Sequence, residues 1–349
     1  MTQAHLTVVP PAPPEPPVPQ VEHLPCQLDL TYNWNYGCSR EELRDLYKKA
    51  QRSQWLPDEV LPWDTSVDIT AAQPPPELFP LHGTDIERRL TQQEQETLRV
   101  ELTAWILSQF LHGEQGALLA ASQLAATVPD MESKFYAATQ VVDEARHIAV
   151  YERYIREKVG FSYPISPHLK SLLDLILKDS RWDLKLLGMQ IMVEGLALAS
   201  FGMIREYTSE PLLKRLIHYV MLDEARHVAY GVLSLKDFYA DLGEAERRER
   251  EDFVYEAAVL MRDRFLYQQV WEKAGLPLAD CIEASRNNLG QQLFRQLLFS
   301  KVVPAVKRIG LLSPRQRERF AALGILQFES VEDPFAEFNE GASVTARVA

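Results

Sequence analysis

Asp143-Glu144-Ala145-Arg146-His147 recurs as Asp223-Glu224-Ala225-Arg226-His227, 80 residues downstream. In each copy Glu and His stand at i and i+3, so both side chains share one helical face. Apolar residues flank both copies: Val141, Val142, Ile148 and Val150, then Met221, Leu222, Val228 and Ala229. A charged block inside an apolar helix is costly to bury unless it is paired or coordinated. Glu-x-x-His on two helices, with one further Glu from each of two others, is the donor set of a dinuclear metal site in a four-helix bundle. Glu114 lies thirty residues before Glu144, and Glu194 thirty before Glu224. Thirty residues suffice to run along one helix, turn, and return beside it. Both glutamates sit among small and apolar residues, in Gly113-Glu114-Gln115-Gly116-Ala117-Leu118 and Val193-Glu194-Gly195-Leu196-Ala197-Leu198. The expected metal ligands are Glu114, Glu144, His147, Glu194, Glu224 and His227.

The rest of each pentapeptide then needs work to do. A metal-bound histidine normally gives its free ring N–H to a carboxylate. Asp143 and Asp223 are expected to receive the ligand histidines, each from the opposite half, and Arg146 and Arg226 to pair with the aspartates. Carboxylate-rich sites with only two imidazoles suit iron or manganese better than zinc. Two iron ions are expected, with a manganese–iron pair as the alternative.

Working outward, the surrounding pattern is helical. Thr91 with Glu94 forms a capping box, followed by Leu98, Leu102, Trp105, Ile106, Phe110 and Leu111 at helical spacing. Pro129, Gly160 to Pro167 and Glu210-Pro211 punctuate the chain. The helices expected between them cover 91–127, 130–159, 166–207 and 211–241, with two more at 244–274 and 278–309. A short one is expected from Ser313-Pro314. Ser39 with Glu42 reads as another capping box, opening a helix through Ala50. No region alternates with period two, so the chain is expected to be all-α: a four-helix bundle elaborated by additional long helices. The domain reading is a proline-rich leader (1–25), an N-terminal wrapping segment (26–83), a four-helix metal core (84–241), added helices (242–328) and a polar tail (329–349). Gly116, Ala117, Ala120, Gly195, Ala199 and Gly231 lie near ligand positions. They suit either a pocket or close helix packing.

Composition narrows the partners. The 349 residues carry a formal charge of −12, which argues against a phosphate-driven nucleic-acid binder. Cys26, Cys38 and Cys281 fit neither a disulfide framework nor a metal motif. Without a run of 18 apolar residues or a secretory signal, a cytoplasmic protein off the membrane is expected. No dinucleotide fingerprint or iron–sulfur cysteine set is present, so electrons are expected from a separate ferredoxin or flavin reductase.

These motifs resemble the ferritin-like di-iron carboxylate proteins. The Asp-Glu-x-Arg-His form is especially similar to the hydroxylase subunits of soluble methane, toluene and phenol monooxygenases. The stretch from Lys48 through Trp55-Leu56-Pro57-Asp58-Glu59-Val60 resembles the small subunit of class I ribonucleotide reductase. In that resemblance Tyr151, four residues after His147, matches a radical tyrosine, and Trp55 part of an electron path. The chain departs from the monooxygenases at Leu198, where they have threonine. It departs from the more distant para-aminobenzoate N-oxygenase branch at Val220, where that branch carries an extra histidine ligand; His218 is out of phase. Phe335 and Phe338 in the acidic tail faintly resemble a reductase docking tail. The resemblance implies an O₂-activating oxygenase acting on a small, largely apolar organic substrate at C–H, aromatic or amine groups. A radical generator using Tyr151 and an iron-storing or peroxide-scavenging protein are the alternatives. A homodimer is compatible with the long bundle.

Overall fold

Thr91 starts the longest helix through a complete capping box, its hydroxyl accepting from the Glu94 N–H while the Glu94 carboxylate accepts from the Thr91 N–H at 2.7 Å. The computed structural model describes residues 21–331. The prolines from Pro10 to Pro19 and the tail containing Phe335 and Phe338 lie outside the described residues.

In chain order the α-helices are α1 (Glu41–Arg52), α2 (Pro57–Val60), α3 (Asp85–Arg89), α4 (Gln92–Thr127), α5 (Met131–Tyr154), α6 (Pro167–Lys178), α7 (Trp182–Leu186), α8 (Glu194–Tyr207) and α9 (Pro211–Ala240). After them come α10 (Glu244–Asp263), α11 (Gln268–Lys273), α12 (Leu278–Asn287), α13 (Leu289–Leu297), α14 (Val302–Arg308) and α15 (Pro314–Ala322). No strand occurs among the described residues. The bundle pairs α4 with α5 and α8 with α9, and α5 meets α9 across it. In the chain before residue 84, α1 packs on α5 and α9, and Trp55, Leu61, Trp63, Phe79 and Leu81 are buried. Of the helices after residue 243, α10 packs on α6, α11 on α4, and α14 on α8 and α9.

Four expectations change. The Ser39 capping box does not form. Arg40 is the N-cap without a side-chain bond, and the Ser39 hydroxyl donates instead to Glu132 Oε2 at 3.0 Å. Glu132 is fully buried and also takes Arg44 at 2.5 Å, so its need for donors outweighs the cap. The helix expected over 166–207 is two. Asp179 Oδ1 accepts from the Arg181 N–H at 2.8 Å, a local turn that competes with the helix. The 244–274 helix breaks after Asp263, where Tyr267 adopts a left-handed φ of 56°. The 278–309 helix is three pieces, with Asn288 capping α13 through the Gln291 N–H at 2.8 Å.

Between α7 and α8 the chain takes one wide π-helical stretch, Leu187–Val193, ending at Glu194. Such bulges recur at functional sites because they re-aim the side chains that follow. The segment Trp182–Tyr207 has a mean hydropathy of 1.5 and is long and apolar enough to cross a membrane, but 83% of that apolar window is buried inside the fold. It is the central helix of a protein core.

The small residues near the site serve mainly close packing. A Cβ on Gly116 would lie 2.5 Å from Leu173, and one on Gly231 would lie 2.8 Å from Gln190 Cβ. Gly195 faces Val302 at 3.2 Å.

Candidate metal centre

The bundle brings α4, α5, α8 and α9 together at one buried level, each supplying carboxylates from a single turn. Glu114, Glu144, Glu194 and Glu224 are all at most 6% exposed, and both histidines are fully buried. Two groups of donor atoms result: Glu114, Glu144, His147 and Glu224 in one, and Glu144, Glu194 and His227 in the other.

The arrangement has near two-fold symmetry. His147 Nδ1 lies 3.2 Å from Glu224 Oε1, 3.4 Å from Glu114 Oε2 and 3.5 Å from Glu144 Oε2. His227 Nδ1 lies 3.2 Å from Glu144 Oε1, 3.5 Å from Glu224 Oε2 and 4.0 Å from Glu194 Oε2. Glu144 and Glu224 therefore turn one oxygen toward each histidine, the geometry of bridging carboxylates. Glu114 and Glu194 each face one side. The imidazole centroids are 6.0 Å apart.

Behind the histidines the halves exchange partners. His147 Nε2 meets Asp223 Oδ2 at 3.1 Å, and His227 Nε2 meets Asp143 Oδ2 at 3.3 Å. An Nε2–H held by a carboxylate leaves the Nδ1 lone pair facing the centre. Arg146 pairs with Asp143 and with Asp223 Oδ2 at 2.9 Å; Arg226 pairs with Asp223 and lies 3.9 Å from Asp143. The arginines thus tie the two aspartates into one network.

Several members lie outside the repeated pentapeptides. Gln54 donates to Asp143 at 2.8 Å and accepts from Arg146 at 2.7 Å. The Trp55 indole N–H donates to Asp223 at 2.8 Å, beneath the Arg146 guanidinium 4.7 Å from its ring. Gln140 donates to Glu144 at 3.0 Å and Glu194 at 2.8 Å, and accepts from Gln190 at 3.3 Å. Gln140 stands four residues before Glu144, so the same-face rule that paired Glu144 with His147 also points to it. Tyr151 is fully buried and its hydroxyl finds no partner. His218 packs beside Tyr219, ring centroids 5.5 Å apart, and Val220 and Leu198 are buried apolar residues.

Burial, with Glu224 close by, holds the Glu114 and Glu194 carboxyls well above their usual range. Burial pushes the histidines down, but the carboxylates outweigh it, Glu114 for His147 and Glu144 for His227, and both imidazoles rise well above normal. Glu144 and Asp223 fall below the usual carboxylate range: burial opposes this, but facing histidines and arginines prevail.

The donor set fits metal on its own evidence. Glu144 Oε2, Glu194 Oε2, both Glu224 oxygens and His227 Nδ1 are buried without a hydrogen-bond partner, and all face one centre. Unpaired buried polar atoms are costly, and a cation satisfies all of them at once. Charge agrees. Six carboxylates (Glu114, Glu144, Glu194, Glu224, Asp143, Asp223) against Arg146 and Arg226 leave four negative charges, which two divalent ions neutralise. The donor set is consistent with a dinuclear site of the iron or manganese–iron type.

Comparison with known proteins places this geometry. Residues 39–310 match the family described as P-aminobenzoate N-oxygenase AurF. Among solved structures, an R2-like ligand-binding oxidase variant with an anaerobically reconstituted Mn/Fe cofactor aligns at 18% identity and a TM-score of 0.47. That alignment covers 77% of this chain and 93% of the other. A second variant, aerobically reconstituted, aligns at 16% identity and 0.48, covering 79% and 99%. No curated protein matches. The matched family is the branch from which the chain departs at Val220. The chain belongs to the p-aminobenzoate N-oxygenase AurF family, within the ferritin-like di-iron carboxylate oxygenase superfamily.

Proposed function

We propose that the protein is an O₂-using oxygenase that inserts oxygen into a small organic substrate, with an amine nitrogen the first position to test. The observation that carries this reading is the pair of adjoining donor groups sharing Glu144, with Glu224 within 3.5 Å of both His147 and His227. Glu114, Glu144, His147 and Glu224 would hold one metal, and Glu144, Glu194, His227 and Glu224 the other. Bound there, two iron ions supply two-electron reduction of O₂, with a manganese–iron pair as the alternative.

The chain's own residues do the rest. Asp143 and Asp223 fix the tautomer and aim of the two imidazoles, and Arg146 and Arg226 hold the aspartates. Phe110, Leu169, Val193 and Phe201 exclude water from the face where Glu114, Glu194 and Glu224 meet a small cavity of about 20 Å³. That volume holds about one water, so a substrate enters by displacing these side chains. Electrons come from an external donor, a ferredoxin or flavin reductase, and a cytoplasmic location suits it. The test is ¹⁸O₂ turnover with small aryl amines and a chemical reductant. Label in the product supports the reading; metal-loaded protein that consumes O₂ without labelling any product refutes it.

A second reading has its own observation. The Tyr151 hydroxyl is buried and unpartnered, with its burial and Glu114 holding the phenol well above its usual range. Trp55 joins Tyr219, at a ring separation of 5.2 Å, to Asp223. Radical generation at Tyr151 would use this path, and a persistent tyrosyl signal lost in Tyr151→Phe would favour it.

A further inference from the structure

A cleft of about 300 Å³ lies between α10, α12, α13 and the end of α15. Arg262, Arg286 and Arg295 line it with Leu266, Leu323, Ile325 and two glutamines, and none of these lining residues is acidic. In a chain of net charge −12, three arginines on one small wall reverse the local sign. Arg295 is buried, and its Nη atoms donate to the Ser285 and Arg286 carbonyls at 3.0 and 3.1 Å. It caps the end of α12, which fixes its guanidinium in place. The exposed Arg286 guanidinium has no hydrogen bond or ion pair among the described residues. On α13, Leu289 and Leu293 stand 80% and 55% exposed. They neighbour the cleft-lining Gln292 and Gln296 at i,i+3 spacing, so an apolar ridge borders the basic wall.

The chain leads away from this same wall. Gly324 turns with φ 73°, so close to Gln296 that a Cβ would lie 2.9 Å from its Nε2, and the turn seats Leu323 and Ile325 on the cleft. The short helical turn Leu326–Ser330 follows. It is pinned where Arg317 pairs with Glu329 at 2.6 Å and Lys307 donates to the Glu329 carbonyl at 3.0 Å. Val331 is the last described residue, at most ~22 Å of chain from Ile325. Residues 332–340, beyond it, can span ~30 Å, enough to return to the cleft. Their sequence carries Glu332, Asp333, Glu337 and Glu340 with no lysine or arginine, and two rings, Phe335 and Phe338. The acids complement the arginines, and the rings complement the exposed leucines.

We propose that the cleft is a docking site for this acidic, aromatic segment of its own chain. The carboxylates of 332–340 meet Arg262, Arg286 and Arg295, and Phe335 and Phe338 cover Leu289 and Leu293. Single surface ion pairs contribute little, so the site works by joining several of them to apolar burial. Tethering favours the same chain over any other occupant: a segment that leaves from the wall of the cleft is present there at an effective concentration in the millimolar range. The docking does not depend on the oxygenase reading. It does touch the catalytic half of the fold, because Arg262 and Leu266 flank Arg264, which lines the small cavity beside Glu114, Glu194 and Glu224. The docked segment braces that turn.

The test is limited chymotrypsin digestion of the full chain, read by mass spectrometry as cleavage after Phe335 and Phe338. A synthetic peptide of residues 329–349 is the undocked reference, and cleavage at the exposed Tyr36 calibrates the protease in each sample. Wild type at low salt is expected to be cut ~10-fold or more slowly than the peptide. Arg286→Glu and Leu293→Ser alter exposed side chains and leave the core intact; each should speed cleavage ~3–10-fold, and salt near ~1 M should speed it in wild type. Hydrogen exchange over 262–267 should quicken in the same two variants. Wild-type cleavage at the rate of the peptide overturns the proposal. Protection unchanged by Arg286→Glu overturns the charge pairing, and protection unchanged by Leu293→Ser overturns the apolar contact. Protection that grows with protein concentration would place the segment on a second copy and overturn the same-chain assignment.

Discussion

Asp223 takes more donors than any other carboxylate at the centre. Its Oδ2 accepts from His147 Nε2 at 3.1 Å, Trp55 Nε1 at 2.8 Å and Arg146 Nη2 at 2.9 Å, while Oδ1 faces Arg226. In Asp223→Asn the amide oxygen can replace only one of these positions. The less costly orientation keeps it toward His147, Trp55 and Arg146, and turns the NH₂ into Arg226. Arg226 then retains the Leu222 carbonyl at 2.9 Å and Asp143 at 3.9 Å. Breaking one buried ion pair costs ~3–5 kcal/mol. Loss of the charged partner of a ligand histidine lowers metal affinity ~10–100-fold. Asp143→Asn should be milder, because Arg146 keeps Asp223 and Arg226 barely reaches Asp143. The assays are denaturant unfolding of metal-free protein and metal retention against chelators of graded strength. An Asp223→Asn protein as stable and as metal-retentive as wild type refutes the network described here, as does Asp143→Asn proving the more damaging change.

Three further outcomes are expected. The carboxyls of Glu114 and Glu194 and the imidazoles of His147 and His227 all bind protons more tightly folded than unfolded. Their stabilisation of metal-free protein is complete below the unfolded values and is lost as pH rises through the folded ones, so metal-free stability should fall as pH climbs past about 6.5. Loading metal should then expel protons, detectable by calorimetry in buffers of different ionisation enthalpy; no release would contradict the direction of these shifts. Gly113 lines the cavity and a Cβ there would meet nothing within 4 Å. Gly113→Leu should therefore cut turnover ~10-fold or more with metal intact, while gaining up to ~0.8 kcal/mol as a helix former; unchanged kcat/KM would place substrate entry elsewhere. Tyr151→Phe removes a hydroxyl with no partner and should change stability by less than ~1 kcal/mol, with metal retained; electron paramagnetic resonance then decides whether any radical depended on it.

What the sequence makes legible follows from how each feature is encoded. Glu144 with His147 and Glu224 with His227 are local relations on one helix, and the equal thirty-residue intervals to Glu114 and Glu194 report two helical hairpins of matching length. Repetition exposes both. Gln54, Gln140 and Gln190 belong to the same network but have no repeat to mark them; glutamine is uncharged, and its burial is visible only in three dimensions. The helix breaks at Asp179 and Tyr267 escaped for a related reason. Apolar periodicity continues through both, because the segments on either side bury the same faces against one core. Asp179 acts through a side-chain bond to the Arg181 backbone. Tyr267 carries no breaker signal at all: its φ is imposed by the aromatic rings around it.

The charge count connects these pieces. With both histidines neutral, the centre holds four excess negative charges. Glu114, Glu194, His147 and His227 all hold protons more tightly in the fold, which offsets part of that charge in the metal-free protein; two divalent ions would offset it in the loaded one. The bundle can therefore fold before metal arrives and give up protons as metal binds.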